Sequence, residues 1–113
     1  MTKYAGVVHE LFIRIGEKLA EGLGVKSGNI GFENWSCQFR INKYHFTRES
    51  VGSSGVQIHT DGGFLTILQD DEHVGGLEVM DKSGHFVPVD PWPNTLIVNL
   101  GDMATVCPRT PTF

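Results

Sequence analysis

An all-β core of the jelly-roll kind, with one long helix against its outside, is the fold class this sequence predicts. Three observations lead there. A single amphipathic pattern opens the chain, a series of short β-like runs follows from Asn34 onward, and Gly-, Pro- and Ser-rich separators divide those runs. At 113 residues the chain can hold one domain with a modest core, so the runs must share a single sandwich.

The helix comes first. Tyr4, Val7, Val8, Leu11, Phe12, Ile15, Leu19 and Leu23 recur at steps of three and four, while Lys3, Glu10, Arg14, Glu17, Lys18 and Glu21 fall mainly on the other side. The spacing predicts a helix over residues 4–23, with Gly22 and Gly24 as its stop. Such a stripe needs an apolar surface to cover, and its side chains serve packing rather than chemistry.

The strands are predicted from about residue 35. Trp35–Ile41, Val56–His59, Phe64–Gln69, Leu77–Met80, Phe86–Val89 and Thr95–Leu100 carry the β-like composition. Gly52–Gly55, Gly75-Gly76, Lys82–Gly84 and Pro91–Asn94 supply the turns between them. Many short strands at close spacing make a sandwich, of which the jelly roll is a natural case. Pro88 cannot donate to a ladder, so its strand belongs at an edge or a bulge. The sequence shows no internal repeat, low-complexity tract or linker to a second domain.

Composition narrows the function. Apolar residues make up 40% and charged residues 19%, as in an ordinary globular protein. A net charge of −4 without a basic cluster argues against nucleic acid or an anionic membrane as partner. No apolar run has the length of a membrane span, and Met1–Ala5 lacks the shape of a signal peptide. A cytoplasmic protein is the expectation, with Cys37 and Cys107, far apart in the chain, both reduced.

The chemistry concentrates at His59-Thr60-Asp61, inside the run Gly55–Phe64. Side chains on a strand alternate faces, so the imidazole and the carboxylate point the same way and can reach one metal ion together. With a second histidine from elsewhere they would complete the facial triad of non-haem Fe(II) oxygenases, which leaves positions open for chemistry. The bland alternative is a strand-end histidine beside a turn aspartate preceding Gly62-Gly63, and the pair alone does not decide between the two. His9 on the helix, His45 after Asn42-Lys43-Tyr44, and His73 and His85 in turns read as solvated histidines. Asp102, after an apolar strand and Gly101, reads as a turn or hydrogen-bonding residue. No residue is given a catalytic acid, base or nucleophile role.

The pieces together resemble a known family. Arg40-Ile-Asn-Lys-Tyr44, His59-Thr-Asp61, Phe64-Leu-Thr-Ile-Leu-Gln-Asp70, Gly75-Gly-Leu-Glu-Val79 and Leu96-Ile-Val-Asn-Leu-Gly-Asp102 resemble, in order and spacing, the plant soluble 2-oxoglutarate- and Fe(II)-dependent dioxygenases. Asn42–Thr47, Val51–Ile58 and Leu68–Glu72 look most like the auxin-oxidising members. The resemblance covers residues 1–106 and implies a double-stranded β-helix, a cupin-like jelly roll, with a long helix outside it. It implies His59 and Asp61 as iron ligands, and Asn42 and Tyr44 as contacts to 2-oxoglutarate. From the residue alone, an interfacial aromatic with a solvated hydroxyl is the leading reading of Tyr44, and the motif context turns it toward ligand contact. The resemblance further implies Fe(II) as cofactor, 2-oxoglutarate and O2 as cosubstrates with ascorbate in support, and a small aromatic acid as substrate, indole-3-acetic acid for an auxin-oxidising relative.

The sequence also departs from that pattern. After Val106 the family continues to a histidine that supplies the third iron ligand and an Arg-x-Ser pair that grips the far carboxylate of 2-oxoglutarate. Here Cys107–Phe113 follows instead, and no histidine comes after His85. Met1 aligns where a relative is mid-domain. A truncated member is expected: a partial dioxygenase domain over residues 1–106, incomplete at both ends, and an off-pattern tail at 107–113. A jelly roll short of strands exposes unpaired edges, so self-association through open sheet edges is expected. The alternative to an enzyme is a noncatalytic remnant or interaction module.

Overall fold

The computed structural model describes residues 1–25, 31–45 and 47–106. Helix α1 spans Thr2–Gly22, bracketing most of the predicted 4–23. It stops where the glycines predict. Gly24 adopts φ 74°, its N–H donates to the Glu21 carbonyl at 3.0 Å, and the Val25 N–H reaches the Ala20 carbonyl at 2.9 Å. These bonds satisfy carbonyls that a helix end otherwise leaves bare, and only glycine takes that left-handed turn without steric cost.

Four strands follow: β1 (Leu65–Leu68), β2 (Leu77–Met80), β3 (Phe86–Val89) and β4 (Ile97–Leu100). β1 pairs antiparallel with β4, Leu65 opposite Leu100, and β2 pairs antiparallel with β3, Leu77 opposite Val89. The β2–β3 hairpin thus sits within the loop that joins β1 to β4, and each sheet has two strands among the described residues. Pro88 stands opposite Glu78 in a strand with a free edge, as its missing N–H requires. A four-residue helix, α2 (Asp102–Thr105), follows β4 directly. The architecture is a partial double-stranded β-helix with one flanking helix.

Two predicted strands do not form. Trp35–Ile41 and Val56–His59 enter no ladder among the described residues. Alternating composition selects a face, but a strand also needs a neighbouring backbone to bond with. Phe39, Ile41, Val56 and Ile58 consequently remain 51–63% exposed. Phe64, Gln69, Thr95 and Leu96 likewise fall outside their ladders.

The helix stripe divides rather than packing along its whole length. Phe12, Ile13, Ile15 and Leu19 pack against a small core of Ala20, Phe32, Phe64 and Leu65. Tyr4 and Val7 remain exposed and, with Val8 and Leu11, line an open cleft of about 320 Å³ against Gln69–Glu72 and residues 90–97. Phe32 seats against Gly16, where an added Cβ would stand 2.9 Å from its ring. A pattern search built on large apolar side chains passes over such a position, because absent volume is what lets the ring settle. Phe32, Trp35 and Phe64 then form an aromatic triangle with centroids 4.9–5.4 Å apart.

The β2–β3 turn is built around Asp81. Its Oδ1 accepts the Ser83 N–H at 2.8 Å, the Ser83 hydroxyl at 2.7 Å and the His85 N–H at 2.9 Å, while Gly84 takes φ 84°. The His85 N–H, then the Ser83 hydroxyl, hold this carboxyl below its ordinary value of 3.8. A lowered native pKa stabilises the hairpin above the ordinary carboxylate range, and that contribution is lost as pH falls through the lowered value. Acidification below 3.8 and on through the lowered value is therefore expected to weaken this turn progressively. Amide exchange at Ser83 and His85, normalised for the intrinsic pH effect, should show lost protection on acidification. Asp81→Ala should show that loss already at neutral pH.

Candidate metal site

His59 and Asp61 come together. His59 Nε2 lies 3.7 Å from Asp61 Oδ1, the imidazole 62% and the carboxylate 34% exposed. His59 Nδ1 lies 2.8 Å from the Gln57 carbonyl oxygen. A carbonyl only accepts, so this bond places the proton on Nδ1 and leaves the Nε2 lone pair directed outward. In the neutral imidazole of this tautomer, Nε2 and Asp61 Oδ1 are two electron-pair donors that one cation, a proton or a metal ion, can share. At metal–ligand bonds of about 2.1 Å, a right-angled pair of donors stands about 3 Å apart, so a small closure of this gap accommodates an ion. A backbone carbonyl behind the imidazole is also the usual way a ligand histidine is oriented. The pair fits a divalent metal as two of its ligands. Among the described residues no group of three or more His, Cys, Asp or Glu is arranged to hold one.

Asn42 and Tyr44 also lie together, outside any helix or strand. Asn42 Nδ2 stands 3.5 Å from the Tyr44 hydroxyl, at the limit of a hydrogen bond. The Tyr44 ring rests beside Gly55, where an added Cβ would meet it at 3.4 Å. Tyr44 therefore packs at the start of the run that leads to His59.

The other predicted histidines do not join the site. His9 is half-buried, with its ring stacked over Phe12 at 6.4 Å rather than free in solvent. His85 Nδ1 meets the Ser83 hydroxyl at 3.0 Å in the hairpin turn, and His73 sits between bridge partners Asp71 and Val74. Cys37 is free and exposed, whereas Cys107 and the rest of the predicted tail lie outside the described residues.

What positions His59 and Asp61 was not read from their neighbours in sequence. The Asp61 carbonyl accepts the Asp102 N–H at 2.7 Å, the Gly63 carbonyl accepts the Met103 N–H at 3.1 Å, and the Phe64 carbonyl accepts the Gly101 N–H at 2.9 Å. The Thr60 hydroxyl donates to Asp102 Oδ2 at 3.0 Å. Asp102 is a hydrogen-bonding residue, as predicted, but in a short helix rather than a simple turn. Phe64 carries the segment into the core and α2 clamps it from the other side.

Paired antiparallel strands beside a histidine and a carboxylate two positions apart are the arrangement expected of the non-haem Fe(II) oxygenase class. Residues 35–112 match the 2OG-Fe(II) oxygenase superfamily, and the chain belongs to that superfamily. Over 101 residues it is 54% identical to the 2-oxoglutarate-dependent dioxygenase DAO of Oryza sativa subsp. indica, covering 88% of this chain and 33% of that protein. It superposes on the 2-oxoglutarate binary complex of dioxygenase for auxin oxidation 1 from Arabidopsis thaliana with a TM-score of 0.86 and 60% identity, covering 92% of this chain and 39% of that one. The structure of the rice dioxygenase for auxin oxidation gives a TM-score of 0.85 at 52% identity, covering 91% and 35%. The chain spans about a third of the length of the curated relatives it matches. Among the described residues, no helix is long and apolar enough to cross a membrane.

Proposed function

We propose that residues 1–106 of this chain supply the iron half-site and the 2-oxoglutarate contacts of an oxidation acting on a small aromatic acid. Indole-3-acetic acid is the substrate to which the auxin-oxidising relatives point. His59, through Nε2, and Asp61 hold Fe(II). Asn42 and Tyr44 offer an amide and a phenol that orient the dicarboxylate. Bound there, Fe(II) would provide open positions for O2 and 2-oxoglutarate, whose decarboxylation to succinate accompanies substrate oxidation, with ascorbate in support. The chain's own work is to fix the imidazole tautomer, present the carboxylate and orient the cosubstrate. The cytoplasm is the proposed location.

One observation carries this reading: the Gln57 carbonyl fixes the His59 proton on Nδ1 and turns a free Nε2 toward Asp61. Anaerobic calorimetry with Mn(II), followed by 2-oxoglutarate, tests it. Binding of both is expected, with loss of Mn(II) binding in His59→Ala and Asp61→Ala, and loss of 2-oxoglutarate alone in Tyr44→Phe/Asn42→Ala. Unchanged Mn(II) binding in the first two variants rejects the assignment.

A second reading, a noncatalytic module that pairs with another chain, draws on the exposed surface. A folded monomer of 12.5 kDa exposes about 6,200 Å², whereas this chain exposes 9,807 Å². Its radius of gyration is 16.6 Å where about 13 Å is usual for this length. The chain spans about a third of its relatives' length, so this surface is what the rest of a complete relative, or another chain in its place, would cover. Unpaired sheet edges and the exposed Phe39, Ile41, Val56 and Ile58 are its natural contacts. Sedimentation of the pure 113-residue chain is expected to show concentration-dependent association. The same sample should release no succinate above background. Coupled succinate release and indole-acetate oxidation would favour the first reading.

A further inference from the structure

We infer that Thr60 and Asp102 are positioning residues for the metal half-site, holding His59 and Asp61 in ligating geometry from the opposite face of the segment. The inference rests on the reading of His59 and Asp61 as metal ligands.

Thr60 lies between the two ligands in sequence, and its side chain turns to Asp102 while theirs meet each other. Its hydroxyl donates to Asp102 Oδ2 at 3.0 Å, across 42 positions of sequence. The same residue's backbone N–H donates to the Asp61 carbonyl at 2.7 Å. Asp102 therefore grips the segment twice, once at the residue between the ligands and once at a ligand's own backbone. Met103 and Gly101 continue the clamp through the Gly63 and Phe64 carbonyls at 3.1 and 2.9 Å.

The arrangement has a clear consequence for binding. A metal rewards only those conformers in which both donors already converge, so freedom about Thr60 would lower affinity without touching either ligand. Thr60 and Asp102 are both exposed, and altering them leaves the aromatic core intact. The carboxylate acts here as an acceptor. An amide oxygen at the same place can accept the Thr60 proton equally well.

The test uses the full 113-residue chain with Mn(II), read as paramagnetic broadening of the Gln57–Phe64 amide signals, which detects weak as well as tight binding. Thr60→Val and Asp102→Ala are expected to weaken Mn(II) about tenfold, the lower end of what supporting residues around a metal contribute. Thr60→Ser and Asp102→Asn should stay within about twofold of the unaltered chain, since each keeps the hydrogen bond. The double variant Thr60→Val/Asp102→Ala should bind no more weakly than Asp102→Ala alone, because the two act as one unit. Unweakened binding in Thr60→Val overturns the inference. So does equal weakening by the conservative pair, which would signal a merely structural effect. Broadening that survives His59→Ala overturns the ligand reading itself, and absence of broadening in the unaltered chain overturns both.

Discussion

Gly101→Ala is expected to destabilise the chain by about 3–5 kcal/mol and to release the His59–Asp61 segment. A Cβ at Gly101 would fall inside the Gly63 carbonyl oxygen and 2.7 Å from that of Asp61. Neither oxygen can retreat freely. The Gly63 carbonyl accepts the Met103 N–H and the Asp61 carbonyl accepts the Asp102 N–H, so relief of the clash breaks those bonds. Overpacking costs about 1–3 kcal/mol and each of the two hydrogen bonds about 0.5–1.5 kcal/mol, a sum of about 2–6 kcal/mol whose middle is the expected size. Backbone conformation is not the reason, since Gly101 has φ −92° and any residue adopts that. Gly62→Ala is the control, because a Cβ there meets nothing within 4 Å. Urea denaturation followed by helix signal checks the pair. Equal midpoints for the two variants would mean that Gly101 does not seat against the segment.

Phe32→Ala is expected to cost about 3–5 kcal/mol, the usual range for a large buried aromatic. Phe32 is 1% exposed and meets Gly16 of α1, Trp35 and Phe64. With a core of Ala20, Phe32, Phe64 and Leu65, little remains to hold α1 against β1 once that ring is gone. Domains of ordinary stability have about 5–15 kcal/mol in total, so a chain this open should populate its unfolded state after the change. Near-ultraviolet circular dichroism should lose the signal of the packed aromatics, and thermal unfolding should lose its cooperativity. Phe32→Leu, which fills part of the space, is expected to fall between. Retained cooperativity in Phe32→Ala would place the core elsewhere.

These two positions mark where sequence patterns stop being informative. The β2–β3 hairpin was readable because everything that makes it is local: two β-like runs and a turn whose Asp81 carboxylate bonds residues two and four further on. The end of α1 was readable for the same reason, since Gly24 and its bonds lie within five residues of one another. The predicted strands at Trp35–Ile41 and Val56–His59 had suitable residues but no paired neighbour among the described residues. Strand pairing is a property of two segments, and composition describes only one. The helix stripe was legible as a helix, yet Phe32 seats against it at Gly16, whose signal is missing volume.

The candidate site divides in the same manner. The sequence by itself determined the elements whose cause is local: α1 and its glycine stop, the β2–β3 hairpin, the His59/Asp61 pair and the family motifs around it. The order of those motifs pointed to the superfamily to which the chain belongs. Only the tertiary structure decided the β1–β4 register, the seating of Phe32 on Gly16, and the bond from Thr60 to Asp102. Those contacts join residues distant in the chain, and their energies depend on distances that no spacing along the sequence contains. The ligand pair is written in three consecutive residues, while the geometry that would make it bind is set by an aspartate 42 positions beyond Thr60.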